Sequence, residues 1–208
     1  DTAVKKFGTA SAQFDGDDTA APDQLTVPSS SDWNPYGISF TAEFWLNVTS
    51  FAHSYDWLLG NTGANYYGWN IQTQSSGGKL NFIVGDGSSW EINTYDSGTG
   101  YAISTDTWYH VAVVKSGTAW TMYVDGTSRA TGTSAATDYN NTLQMGNSTL
   151  WHDGDSGGPR DFDGYLDEVR ISNTARYNHP FTPSTTAFTS DQYTKLLLHC
   201  DGADDGTT

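Results

Sequence analysis

The sequence predicts an all-β protein, a two-sheet antiparallel jelly-roll sandwich. Three observations point there. Short runs alternate apolar and polar residues with a period of two. Groups of turn residues punctuate them, as in "SSGG" (75–78), "GDGSS" (85–89) and "KSGTA" (115–119). Helical periodicity is nearly absent; "NTARY" (173–177) makes one helical turn at most. Ten or so short strands at this spacing suit a sandwich.

The strands read in order as 38–48, 55–61, 68–74, 79–85, 90–95, 108–116, 120–126, 143–147, 164–172 and 195–201. In the first, Phe40, Ala42, Phe44 and Leu46 fall on one face, with Thr41, Glu43, Trp45 and Asn47 on the other. One face is dry and one wetter, as in a sandwich sheet, and Trp45 on the wetter face needs cover from a loop. Phe44, Phe82, Trp108 and Trp120 are expected in the core, and His110 is expected to be a packed strand histidine. In "GYLDEVRIS" (164–172), strict alternation places Tyr165, Asp167, Val169 and Ile171 on one face. Glu168 and Arg170 then pair on the other.

The chain has 208 residues, enough to bury a sizeable core, and a formal net charge of −15. That charge repels nucleic acid and anionic membrane, so neither nucleic-acid binding nor membrane insertion is expected. No apolar run approaches the ~18 residues of a membrane-spanning helix. The lone cysteine, Cys200, rules out an intrachain disulfide. Beginning at Asp1 without Met or signal peptide, the chain reads as a processed chain or an excised segment.

Four blocks, "TAEFWLNV", "TWYHVAVVKSG", "TMYVDGT" and "FDGYLDEVRISNTARY", resemble the laminin G-like jelly-roll domains of the concanavalin A-like lectin/glucanase superfamily in order and spacing. "KKFGTASAQFDG" and "DQLTVPSS" resemble that family's first strands. The resemblance covers residues 5–189 and implies two antiparallel sheets that bind carbohydrate or protein, often through calcium, in extracellular and viral adhesion proteins. Residues 1–192 are the expected sandwich. Residues 193–208 are either its final strand or the start of a following repeat.

"GDSGGP" (154–159) spells the nucleophile loop of chymotrypsin-like proteases, and His53, Asp106 and Ser156 stand in the required order. The flanking residues do not fit, and the lectin-like reading already accounts for Asp106. A glucanase needs two carboxylates converging on one bond. The only glutamates, Glu43, Glu91 and Glu168, each stand alone in a strand. No catalytic residue is assigned, and the chain is expected to bind rather than to catalyse.

The expected cofactor is calcium, which takes six to eight oxygens from carboxylates and turn carbonyls. Candidate ligands are Asp15 and Asp23 in the first acidic turn, Asp153 and Asp155 in the "DGD" loop, and Asp167. Asp167 has a simpler reading as well: backbone N–H groups or a buried Arg can compensate its charge. For a glycan, flat aromatic rings suit the apolar faces of sugars, and amides or carboxylates suit the hydroxyls. Tyr66, Tyr67, Trp69, Asn70 and Trp90 are the candidates, with Trp151 on a second edge. Expected partners are a glycan or glycoconjugate, and neighbouring repeats or virion proteins, at an extracellular or virion surface. The alternative is a structural virion or fibre decoration module that contacts only protein.

Overall fold

The computed structural model describes residues 1–16, 23–51, 55–63, 65–74, 78–94, 100–147 and 161–202. Described strands are β1 (Ala12–Asp15), β2 (Leu25–Val27), β3 (Phe40–Ser50), β4 (Asp56–Gly60), β5 (Tyr67–Gln74), β6 (Lys79–Asp86), β7 (Trp90–Asn93), β8 (Tyr101–Ala102), β9 (Trp108–Ser116), β10 (Ala119–Val124), β11 (Thr127–Thr133), β12 (Leu143–Met145), β13 (Asp163–Ser172) and β14 (Thr194–Leu198). They form two antiparallel seven-stranded sheets. The first runs β1-β13-β3-β9-β10-β11 with β14 also on β13; the second runs β2-β12-β4-β5-β6-β7 with β8 also on β6. This is the predicted jelly-roll sandwich, not the pair of six-stranded barrels of the chymotrypsin-like fold.

The core lies between the sheets. Phe40, Ala42, Phe44 and Leu46 enter it from β3, Phe82 and Val84 from β6, and Trp120 and Met122 from β10. Trp108 instead pairs with Asn47 on the outer face of the first sheet and is only half-buried. Residues 173–177 form no helix, while a short 3₁₀ turn, Ser31–Trp33, closes under the N-cap of Ser30. The polar edge strand β11 has no apolar alternation to mark it, yet it pairs with β10 along its length.

A bulge in β13 overturns the expected faces of "GYLDEVRIS". Asp167 pairs with Trp45 and Arg170 with Glu43, so two residues oppose one, and Glu168 takes a left-handed φ of 53°. Leu166, Val169 and Ile171 therefore face the core, and Asp167 turns outward beside Trp45. Arg170 does not pair with Glu168. Its Nε donates to Glu43 Oε1 at 2.9 Å, while Glu168 accepts from the Phe188 backbone N–H and meets His199 Nδ1 at 2.7 Å.

The outer face of the first sheet is covered by the chain's own ends. Phe7 packs edge-on against Trp45, and the Lys6 ammonium sits 4.0 Å from the Trp45 ring centre. Further along, Tyr177 and Phe181 stack over Tyr123 and His110. His110 is fully buried, as expected, with Nε2 3.2 Å from Glu43 Oε2. Tyr177 OH donates to the same oxygen at 2.7 Å. Burial alone would raise the Glu43 pKa; the His110, Arg170 and Tyr177 contacts outweigh it and hold the carboxyl below its ordinary value.

Candidate functional site

One end of the second sheet carries most of the predicted aromatic residues. The tip joining β4 to β5 is closed by a bridge between Gly63 and Tyr67. Within it, Asn65 and Tyr66 both adopt left-handed backbone, with φ of 62° and 61°. Asn tolerates that conformation because it is short and polar; a bulky L-residue does not. The Tyr66 ring is nevertheless presented there, 47% exposed. It meets the half-buried Trp90 ring with centroids 5.2 Å apart and planes at 81°.

The tip joining β6 to β7 holds that arrangement from beneath. Gly87 N–H donates to Tyr66 O at 3.0 Å. A Cβ on Gly85 would lie 1.8 Å from that same oxygen, and one on Gly87 2.4 Å from the Tyr67 ring. Only glycine permits the two tips to dock so closely. Asp86 accepts from the Ser88 hydroxyl and from the Ser88 and Ser89 N–H groups at 2.7–2.8 Å, which lowers its pKa and fixes the turn. A third segment joins through Tyr139, stacked on Tyr67 at 5.0 Å and 16°, and through Thr137 Oγ1, which donates to Gly85 O at 3.1 Å. Tyr139 was not among the predicted residues. It comes from a loop more than seventy residues downstream, and no local pattern links it to Tyr67.

Of the predicted glycan contacts, then, the fold brings Tyr66, Tyr67 and Trp90 to one end. Trp69 and Asn70 are corrected. Trp69 shares the inward face of β5 with Ile71, is 1% exposed, and donates from Nε1 to Trp33 O at 2.9 Å. Asn70 is fully buried on the opposite face, with its Nδ2 donating to Gln72 Oε1 at 3.0 Å. That outer face collects Trp57, Asn70, Gln72, Asn81, Ile83 and Gln144 across four strands, an amide-rich surface of which every member is buried. Trp151 lies outside the described residues.

The predicted metal ligands separate in the same way. Asp15 and Asp23 are exposed neighbours: the Asp15 N–H donates to Asp23 Oδ2 at 3.2 Å, and Asp163 pairs with Asp15 across the sheet. Asp167 stands four residues further along β13, about 13 Å from Asp163. Its Oδ2 accepts from the Lys6 and Phe7 N–H groups at 2.8 and 3.1 Å, the backbone compensation foreseen as its simpler reading. Burial raises its pKa, and those N–H groups offset part of the rise. Asp153 and Asp155 lie outside the described residues, as do His53 and Ser156. Among the described residues, no three His, Cys, Asp or Glu side chains converge on one metal position. A calcium ion held there would draw on Asp15, Asp23 and turn carbonyls rather than on Asp167.

The glutamates stay apart. Glu43 is buried under the C-terminal segment, Glu168 faces His199, and Glu91 on β7 accepts from Ser134 Oγ. Asp106 is exposed in the turn before β9, at φ 54°.

Two stacked antiparallel sheets with loops gathered at their ends define a lectin-type sandwich. The laminin G model of the concanavalin A-like lectin/glucanases superfamily matches residues 17–179, and the chain belongs to that superfamily. No curated protein matches the sequence. Among solved structures, a candidate carbohydrate-binding protein from Bacteroides ovatus ATCC 8483 is 20% identical with a TM-score of 0.60, over 87% of this chain and 50% of that one. The chain thus spans half the length of that protein. Domain 4 of an extracellular arabinanase from Geobacillus stearothermophilus, solved with arabinotriose, is 19% identical with a TM-score of 0.56, over 79% and 71%. The mouse laminin alpha1 chain, domains LG4-5, is 17% identical with a TM-score of 0.56, over 86% and 46%. At these identities the likeness is one of fold. No helix of the described residues is long and apolar enough to cross a membrane.

Proposed function

We propose that this chain is a non-catalytic binding module that recognises a glycan or glycoconjugate at the end of the second sheet, through Tyr66 and Trp90 with Tyr67 behind them. The observation that carries the reading is Tyr66 itself. A tyrosine held in left-handed backbone at a loop tip costs stability, and its ring is exposed rather than packed into the core. Backbone strain of this kind is concentrated at functional sites, which supports a contact role for an exposed ring. The domain solved with arabinotriose and the candidate carbohydrate-binding protein share the fold, which supports a sugar as the ligand class. The dispersed glutamates support binding without hydrolysis.

A structural calcium near Asp15 and Asp23 belongs to the same reading, as does an extracellular or virion-surface setting with neighbouring repeats or virion proteins as further partners. The test is a glycan array read with calcium and with a chelator. Binding by the wild type and loss in Trp90→Ala support the proposal. No binding under either condition refutes it and leaves a protein-contacting structural module in its place.

A further inference from the structure

The aromatic end of the second sheet is also an electrostatic site. Between residues 55 and 100 the only basic residue is Lys79, and residues 134–147 contain none. Lys79 begins β6, whereas Asp86 ends it, so the two lie about 23 Å apart along the strand. The nearest cation in sequence on the neighbouring edge is Arg129, which sits 4.2 Å from the Tyr101 ring centre. Tyr101 pairs with Leu80, again at the far end of β6. Lys79 and Arg129 are therefore both placed toward the far end of β6 from Asp86.

What stands near the rings is acidic. Asp86 is held ionised by its serine donors at the docked tip, between Gly85 and Gly87, which press on the Tyr66 carbonyl and the Tyr67 ring. The Asp86 charge is fixed by local hydrogen bonds. A ring face beside that carboxylate accepts the C–H face of an uncharged sugar at little electrostatic cost. A uronate, sialate or sulfate brought to the same place meets like charges, within a chain already at −15.

Building on the binding reading above, we infer that the Tyr66–Trp90 site selects uncharged glycans and rejects carboxylated and sulfated ones. The site discriminates by charge first, and the rings then hold the neutral sugar by contact.

The experiment is isothermal titration with two sets of probes at low and at physiological ionic strength. The neutral set is arabinotriose, xylotriose, cellotriose, mannotriose and galactotriose. The anionic set is trigalacturonate, 3′-sialyllactose and a heparin trisaccharide. The expected result is a neutral ligand whose affinity does not change with salt and is lost in Tyr66→Gly. Anionic probes should bind weaker by about tenfold or more at low salt, the scale set by like charges a few ångströms apart at a protein surface. An anionic probe that binds as well as the neutral ones at low salt, and weakens as salt is added, overturns the inference while leaving a glycan-binding module. A neutral ligand that survives Tyr66→Gly unchanged overturns the placement. Absence of binding by every probe refutes the binding reading and this inference together.

Discussion

Replacing Tyr66 separates backbone strain from ring contact. In Tyr66→Ala the ring is lost and a Cβ stays at φ 61°; in Tyr66→Gly the ring is lost and the strain with it. Both variants forfeit the edge contact with Trp90, about 1 kcal/mol, and the partial burial of a ring that is 47% exposed, roughly 2 kcal/mol. Glycine recovers about 1–2 kcal/mol of left-handed strain and loses ~0.5–1 kcal/mol to unfolded-state entropy. Tyr66→Gly should therefore be more stable than Tyr66→Ala by about 0.5–1 kcal/mol, a difference of roughly 2 °C in Tm for a chain of this size. Urea unfolding followed by tryptophan fluorescence reads the order directly. If alanine proves the more stable of the two, as at an ordinary loop position, the strain argument is wrong. The functional argument that rests on it then fails as well.

Trp69→Ala should lose about 3–5 kcal/mol, because it opens a cavity and removes one of the two donors to the Trp33 carbonyl; a loss under ~1 kcal/mol by thermal unfolding would contradict its place in the core. Glu43→Gln should destabilise by about 3 kcal/mol at neutral pH by leaving Arg170 and its neighbours uncompensated. Since the Glu43 pKa is lowered in the folded state, this stabilisation is present above the ordinary carboxylate value of 4.5 and disappears as pH falls through the folded pKa. The gap between wild type and variant should therefore narrow in acid, and a gap independent of pH would refute the pairing. For calcium, the melting midpoint should rise with added ion and the rise should vanish in Asp23→Asn but persist in Asp167→Asn, which keeps an acceptor for the Lys6 and Phe7 N–H groups. Loss of the rise in Asp167→Asn alone would move the ion to the other carboxylate.

The fold was legible because alternation and turn residues survive in nearly every strand. What was not legible depends on contacts distant in sequence. The bulge at Glu168 leaves no trace in "GYLDEVRIS", so strict alternation placed Asp167 on the core face and paired the wrong ions. Trp69 was separable from Tyr66 in principle, since it shares parity with Ile71. Its richness in neighbouring aromatic residues hid that. Gly85 and Gly87 read as ordinary hairpin residues. Their real requirement is the carbonyl and ring that press on them from another turn. Trp108 looked apolar enough for the core, but strand register sets it opposite Asn47.

The bond from Gly87 N–H to the Tyr66 carbonyl ties one hairpin tip to the next. A side chain introduced at Gly87 meets the Tyr67 ring and pries the hairpins apart, which on the proposed reading turns the recognition surface into a moving target. Little ordering remains for an incoming ligand to impose, so affinity at this end should depend on the stiffness of the scaffold as much as on the groups that touch the guest.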